Sequence, residues 1–441
     1  MLEIDFGKLA SQANEDGEFQ LSARYWTSAV TIAIDDHAAK LTVIDGQIAG
    51  VETAASSSSA TDGIELRATT EAWEKILSQS PQPGWVGIAH VHDLQYAGDP
   101  LERAAYHGAL RRLVQLMRDQ LHGAIEEAWA PEVSRTVDAI VGRYVYLDIE
   151  GIQYRVYYEE SGNPDGIPLL MQHTAGSDAR QWQHVLNDAD YQQDYRLIAY
   201  DLPFHGRSTP PARLQWWKHQ YRPTKPWLFG FIDSLRGALD ISRPVFMGCS
   251  IGGLMAPVLA RERAHEYRAV IGVNAGVLRD SGSPPVAREM THLVNLFDVY
   301  HHPRVGNDWK ASGVLDLMAP ASPTETQRET SWIYGSGAPP VFLGDIISYC
   351  MDFNLSESEA REIDTNVIPV FLLSGEYDPL TIDGGSALLA SWIAGSKYEV
   401  IPTAGHFAPS DNPGKFKEAL DPALKYIAAR ESRTRDEGEF S

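Results

Sequence analysis

Six short apolar runs constrain this chain more than any other feature. IPLLMQ (167–172), YRLIAYD (195–201), RPVFMG (243–248), AVIGVNA (269–275), IPVFLLSG (368–375) and YEVIP (398–402) are each of strand length, and helical stretches separate them. A strand that is apolar on both faces has to be covered on both, and crossover helices are what cover a parallel sheet. The expected class is therefore α/β with a mostly parallel sheet. Just upstream, YVYLDIEGIQYRVYYEES (144–161) alternates around Glu150-Gly151 and reads as a hairpin.

The interval 282–366 is too long to be a mere connection. It is rich in aromatics and in helical patterning. A segment of that size inside an α/β domain is not structureless loop, and it reads as a helical cap over one end of the sheet. The sheet core is then expected over 140–281 and 367–430, with a disordered tail at 431–441.

Residues before about 135 have another texture. FQLSARY, AVTIAID, AKLTVID and IELRAT, between residues 19 and 69, alternate apolar and polar residues and read as strands. SSSSATDG (56–63) is loop by composition. TTEAWEKIL is helical, with Thr69 or Thr70 as N-cap. Residues 99–129 form a long amphipathic helical stretch, capped by Asp99 with Pro100 in its first turn and ended by Pro131. These features make residues 1–135 a small α+β domain preceding the sheet.

Charge removes some functions from consideration. The formal net charge is −22, which repels phosphate backbones, and no basic stripe offsets it, so no nucleic-acid partner is expected. The N-terminus MLEIDFGKLA has no apolar core of a signal peptide, and no apolar run approaches the roughly 18 residues of a membrane span. A cytoplasmic protein without a membrane span is expected, and a homo-oligomer stays open. The only cysteines, Cys249 and Cys350, lie in no metal-binding pattern, and His301-His302 lack acidic or cysteine ligands at metal spacing. No metal and no cofactor are expected.

The residues that carry chemistry sit at the ends of the apolar runs. Gly248-Cys249-Ser250-Ile251-Gly252 has the GxSxG form, at the point where a buried strand ends and the helix LMAPVLARERA begins. A serine on so sharp a turn needs small neighbours, and its oxygen faces a helix N-terminus, which favours developing negative charge. Cys249 beside it reads as a small buried filler. A serine nucleophile needs a base. Among 14 histidines, His406 lies in PTAGHFAPSDNPGKF (402–416), between the last apolar run and the final helix. The base needs an anion to orient it. Asp378, in FLLSGEYDPLT (371–381), follows the preceding apolar run; Glu376 is its nearest rival and Asp280 the architectural alternative. The order Ser250, Asp378, His406 suits this topology. The segment QHTAGSDARQW (172–182) can offer backbone N–H groups, with Ala175 the candidate oxyanion donor beside the N–H of Ile251. Candidate substrate contacts are His173 and the cap aromatics Trp309, Trp332, Tyr334 and Phe342, with Tyr349 a further aromatic of the cap. An aromatic lid suits a bulky apolar or aromatic small molecule.

At these segments the chain resembles the α/β-hydrolase superfamily, over about residues 140–430. DLPFHGRS (201–208) looks like that family's loop after the fourth strand, and the resemblance implies a structural role for His205. The family's His-Gly at the oxyanion turn is His173-Thr174 here, a departure, because threonine tolerates fewer backbone conformations than glycine. Haloalkane dehalogenases and the aspartate-dependent epoxide hydrolases match poorly, since the nucleophile here is serine. The resemblance implies hydrolysis of a small-molecule carboxylic ester or lactone through an acyl-enzyme. Carbon–carbon, amide and thioester bonds remain open to the same triad. A weaker resemblance, in IELRATTEAWEKIL and HDLQYAGDPLERAAYHGALRRLV, links residues 15–130 to sterol-carrier-protein-like domains. It implies the holding of apolar ligands, and with it the rival view of a carrier whose hydrolase domain is secondary.

Overall fold

The structure, a computed structural model, describes residues 2–55, 63–128, 136–218, 221–277, 299, 302 and 305–439. The chain forms two compact units: Met1–Glu127 with Asp298–Ala321, and Ala128–Phe297 with Ser322–Ser441.

The first unit holds a five-stranded sheet of β1 (Ser28–Ile34), β2 (His37–Ile44), β3 (Gln47–Ala55), β4 (Ile64–Ala68) and β5 (Gln95–Ala97), in the order β3-β2-β1-β4-β5. β1 and β4 are parallel; the other pairs are antiparallel. FQLSARY is not a strand: most of it lies in the helix Gly17–Ala23. Asp16 caps that helix by accepting from the Phe19 N–H (2.8 Å), and Phe19 and Ala23, one turn apart, are the residues it buries. The helical spacing of the buried pair outweighs the apparent alternation. Thr69 caps the helix Thr70–Ile76, and Asp99 caps the helix Pro100–His122, as expected. The latter ends at Gly123 rather than near Pro131, because the glycine takes positive φ and its N–H closes on Asp119. Residues from the interval read as a cap belong to this unit. The helix Gly306–Gly313 packs on Pro100–His122.

The second unit is built on an eight-stranded sheet. The expected hairpin forms from β6 (Val141–Ile149) and β7 (Ile152–Gly162), turning at Glu150-Gly151. β8 (Ile167–Gln172), β9 (Tyr195–Tyr200), β10 (Val245–Cys249), β11 (Ala269–Val273), β12 (Val370–Gly375) and β13 (Lys397–Ile401) fall on the six apolar runs. The order is β13-β12-β11-β10-β8-β9-β7-β6, and every pair from β13 to β9 is parallel.

Side chains alternate between two cores, as strands buried on both faces require. Phe246, Val270 and Leu372 pack with the helices Lys225–Ala238 and Ile251–Glu262. Val245, Met247, Ile271 and Leu373 pack against the final helix, Pro413–Glu439, on the other face. That helix continues through residues expected to be tail. From β8 the chain proceeds to β9 on one side, whereas β10 to β13 extend on the other. β8 and β10 therefore flank a topological switch, where open α/β sheets bind ligands beyond the carboxyl ends of their strands. The helices Thr324–Ser336 and Pro339–Asp352 also belong to this unit. Among the described residues no helix is long and apolar enough to cross a membrane.

Candidate active site

Ser250 ends β10 and opens the helix Ile251–Glu262 with φ 55° and ψ −108°, a combination that side chains disfavour. Such a residue stores about 1–3 kcal/mol of strain and persists only where its surroundings over-determine it. Here the surroundings do so. The Ser250 N–H donates to the Val273 carbonyl of β11 (2.9 Å), and the residue is only 3% exposed. The flanking glycines have steric causes. A Cβ on Gly248 would lie 2.3 Å from the Gly252 carbonyl carbon, and one on Gly253 would lie 2.2 Å from the Val273 oxygen.

Two further strand ends deliver the pair that sequence order anticipates. Asp378, fully buried just beyond β12, is hydrogen bonded through Oδ2 to Nδ1 of His406. Its other oxygen accepts from the Leu380 N–H (2.9 Å). A carboxylate on Nδ1 fixes the proton there and leaves Nε2 as the basic nitrogen. Nε2 makes no hydrogen bond among the described residues, and the side chain is 17% exposed. Glu376 is engaged elsewhere, accepting from the Thr403 N–H (2.9 Å). Asp280 lies outside the described residues.

The histidine loop is held beside the serine turn by residues that spacing rules do not single out. Asn274, with φ 53° at the end of β11, donates to the carbonyls of Gly405 (3.2 Å) and His406 (2.6 Å) and accepts from the Gly375 N–H (2.8 Å). One amide thus joins the ends of β11 and β12 to the histidine loop. Its signal is an asparagine directly after an apolar run, since asparagine tolerates positive φ. The Cys249 thiol, adjacent to Ser250, also reaches the His406 carbonyl (3.5 Å), and burial pushes that thiol's pKa up, so it stays neutral. The Asp411 carboxylate accepts from the Gly405 N–H and from the Ser322 hydroxyl.

At the end of β8, residues Thr174–Ser177 make a β-turn closed by the Ser177 N–H on the Thr174 carbonyl (3.2 Å). Gly176 is its third residue, with φ 69°, the mark of a type II turn. The glycine this turn needs is therefore at 176, and Thr174 in place of the family's glycine costs nothing. The Thr174 N–H donates to Gln181 (2.8 Å). The N–H groups of Ala175 and Ile251, both buried, find no acceptor among the described residues. Buried N–H groups left so are rare, and an oxygen arriving between β8 and β10 would satisfy them.

The other expected contacts separate. His173 is fully buried, with Nδ1 on the Thr174 carbonyl (2.7 Å) and Nε2 accepting from the Leu202 N–H (3.1 Å). It braces two loops and has no nitrogen left for a ligand. Burial lowers its pKa to about 4, with His205 adding to the effect. His205 is the opposite case. Burial works to lower its pKa, but the carboxylate of Asp345 overrides burial and leaves it raised. Tyr334 and Phe342 lie at the turn, since Phe342 is the side chain a Cβ on Gly176 would strike and the Tyr334 hydroxyl donates to the Ala175 carbonyl (2.9 Å). Tyr349 is buried in the core on the face of Ile251–Glu262. Trp332 is 73% exposed. Trp309 belongs to the first unit, where it meets the His107 ring edge-on at 4.9 Å. His301 lies outside the described residues, and among those described no three His, Cys, Asp or Glu side chains gather as a metal site.

This arrangement has many relatives. The family model described as "alpha/beta hydrolase fold" matches residues 167–413. The 3-oxoadipate enol-lactonase 2 of Acinetobacter baylyi is 24% identical over 283 residues, covering 61% of this chain and 92% of the lactonase. Epoxide hydrolase 3 of Xenopus tropicalis is 22% identical over 301 residues, covering 64% and 78%. Among solved structures, a thermophilic esterase from Thermogutta terrifontis superposes with a TM-score of 0.54 at 18% identity, covering 65% of this chain and 99% of the esterase. The match spans β8 to the histidine loop, which takes in every strand end described above, and on that ground this chain belongs to the alpha/beta hydrolase fold family.

Proposed function

We propose that this protein is a serine hydrolase of small-molecule carboxylic esters or lactones, favouring bulky or aromatic substrates, and that it works through an acyl-enzyme. The observation that carries the reading is the Asp378–His406 pair, whose uncommitted Nε2 shares the sheet's carboxyl edge with a strained serine. His406 Nε2 takes the Ser250 proton as Oγ attacks the carbonyl carbon. Charge then develops on the carbonyl oxygen, and the N–H groups of Ala175 and Ile251 receive it. The imidazolium, steadied by Asp378, protonates the leaving alkoxide. Water enters, gives its proton to Nε2 and attacks the acyl carbon, and the imidazolium returns that proton to Ser250 Oγ as the acid leaves.

Relatives named as lactonase and as epoxide hydrolase pull in two directions, and the residue at 250 supports the lactonase and ester side. A serine there resembles the acyl-enzyme branches and departs from the aspartate-dependent ones. Tyr334 and Phe342, at the turn beside Ala175, supply the apolar wall that favours aromatic acyl or alcohol groups. The first unit takes no part in the chemistry in this reading.

The test is Ser250→Ala, assayed with p-nitrophenyl esters of graded length and with small lactones. Turnover falls at least about a thousandfold while the fold survives. A folded variant with near-normal turnover removes the serine mechanism.

A further inference from the structure

We propose that Tyr334 and Asp345 are positioning residues that hold the oxyanion turn in its working form, so that catalysis depends on how the two helices bearing them are seated. This rests on the serine-hydrolase reading above.

One peptide group of the turn is held at both ends. In a four-residue turn, types I and II differ by a flip of the central peptide, and type II places the third residue at positive φ. The central peptide of Thr174–Ser177 joins Ala175 to Gly176. Its carbonyl accepts from the Tyr334 hydroxyl (2.9 Å), and its N–H donates to Oδ2 of Asp345 (2.8 Å). Tyr334 lies on the helix Thr324–Ser336 and Asp345 on the helix Pro339–Asp352. Both ends of this peptide dipole are therefore gripped from outside the turn, by side chains about 160 positions further along the chain. Gly337, between the two helices, lies against Gly176, since a Cβ there would come within 3.4 Å of the Gly176 carbonyl oxygen.

The grip at Asp345 is itself braced. The same Oδ2 accepts from Nε2 of His205 (2.7 Å), while His205 Nδ1 faces the Pro203 carbonyl (3.1 Å). A carbonyl can only accept, so Nδ1 carries a proton and the proton on Nε2 makes the ring cationic. A fully buried ion pair is costly unless each member has further partners. Here the Gly176 N–H is one of those partners. The expense makes sense if what it fixes is an orientation rather than a stability.

The consequence falls on the turnover step. The Ala175 N–H lies on the neighbouring Thr174–Ala175 peptide, joined to the clamped one through the Ala175 Cα, so it aims steadily at the oxyanion only while the clamp anchors that residue. With the central peptide freed, Ala175 loses its anchor on that side, and its N–H spends less time aimed at the developing charge. Substrate contacts stay unchanged, so KM is spared.

The full-length protein is assayed with p-nitrophenyl butyrate, comparing Tyr334→Phe, Asp345→Leu and Asp345→Asn. Loss of one fixed oxyanion donor costs about a hundred- to a thousandfold, so loosening one is expected to cost less, roughly tenfold in kcat for Tyr334→Phe and more for Asp345→Leu. KM stays within about twofold in each. Asp345→Asn, with its amide oxygen in the Oδ2 position, keeps an acceptor for the Gly176 N–H while removing the charge, so it recovers part of the loss. A residue that only held the fold would show no such recovery and no split between kcat and KM. If Asp345→Leu does not fold, Tyr334→Phe decides alone. Serine-dependent activity indifferent to these changes, or a loss carried by KM, overturns the clamp. Activity that survives Ser250→Ala overturns the serine reading and the clamp with it, in a separate arm of the same assay.

Discussion

Each unit of this protein contains a histidine hydrogen bonded to a buried aspartate, and of His406 in the second unit and His107 in the first, the proposed mechanism uses only His406 to move a proton. In the second unit His406 gives Nδ1 to Asp378 and leaves Nε2 uncommitted, on a loop with some access to solvent. In the first unit His107 gives Nε2 to Asp316 (3.1 Å), while Nδ1 meets the Tyr96 hydroxyl (3.3 Å). That histidine and its aspartate are fully buried, and Asp316 also accepts from the Ala89 N–H (3.1 Å) and pairs with Arg111 (3.3 Å). In the proposed mechanism the same two residue types make a relay in one place and a rivet in the other. What distinguishes them is whether a second ring nitrogen is free to face a substrate, not whether the aspartate is close.

The largest effect expected from this contrast is on turnover in the second unit. His406→Gln and Asp378→Asn each lower kcat for a short p-nitrophenyl ester by about a thousandfold or more, with unfolding midpoints close to that of the parent. Glu376→Gln leaves kcat within a few fold, because among the described residues its carboxylate is hydrogen bonded to the Thr403 N–H and not to His406. Should Glu376→Gln be the crippling change, the wrong carboxylate has been placed behind the histidine.

The mirror experiment belongs to the first unit. His107→Gln leaves kcat/KM for that ester unchanged and lowers stability to urea by about 1–3 kcal/mol, the order expected when a buried polar group loses a hydrogen-bond partner. Turnover lost at unchanged stability would make the rivet a relay and break the comparison.

A smaller effect concerns pH. His173 has a folded pKa of about 4 against an ordinary value near 6.5. As pH falls through that window the unfolded chain takes up a proton that the folded one refuses, so stability drops, by at most roughly 3 kcal/mol, and levels off below about 4. His205 runs the other way. Its pKa is raised, so its contribution is complete below the ordinary value and is lost as pH rises through the raised one. Urea unfolding at several pH values checks the sign for His173. The stability gap between the parent and His173→Gln narrows as pH falls from about 6.5 to 4, and a widening gap would contradict the assignment.

Much of this was legible in the sequence, and the reason is local. Ser250, Asp378 and His406 each follow an apolar run that became a strand of the parallel sheet, so chain position alone brought them to one edge. The elbow glycines are equally local, because what forbids a Cβ at Gly248 is backbone four residues away. Where the signal was not local, reading failed. Asp345 meets the Gly176 N–H across 169 positions and His205 across 140, and no spacing rule connects them. His173 read as a ligand contact because its place in the turn was visible, while the Leu202 N–H that occupies its second nitrogen was not. The interval 282–366 read as one cap because it is one insertion by length. The structure divides it between units, since Gly306–Gly313 packs on Pro100–His122.

That division has a consequence for how the protein is made. His107 and Asp316 stand 209 positions apart. With synthesis running at about 5–20 residues per second, the histidine leaves the ribosome on the order of 10–40 s before its aspartate. Strands β6 to β11 all emerge in that interval. The unit that begins the chain thus cannot be completed until most of its neighbour's sheet has emerged. Its last helix arrives behind most of its neighbour's sheet, and until then the pocket for Asp316, walled by His107, Arg111 and the Ala89 N–H, waits on a chain still being written.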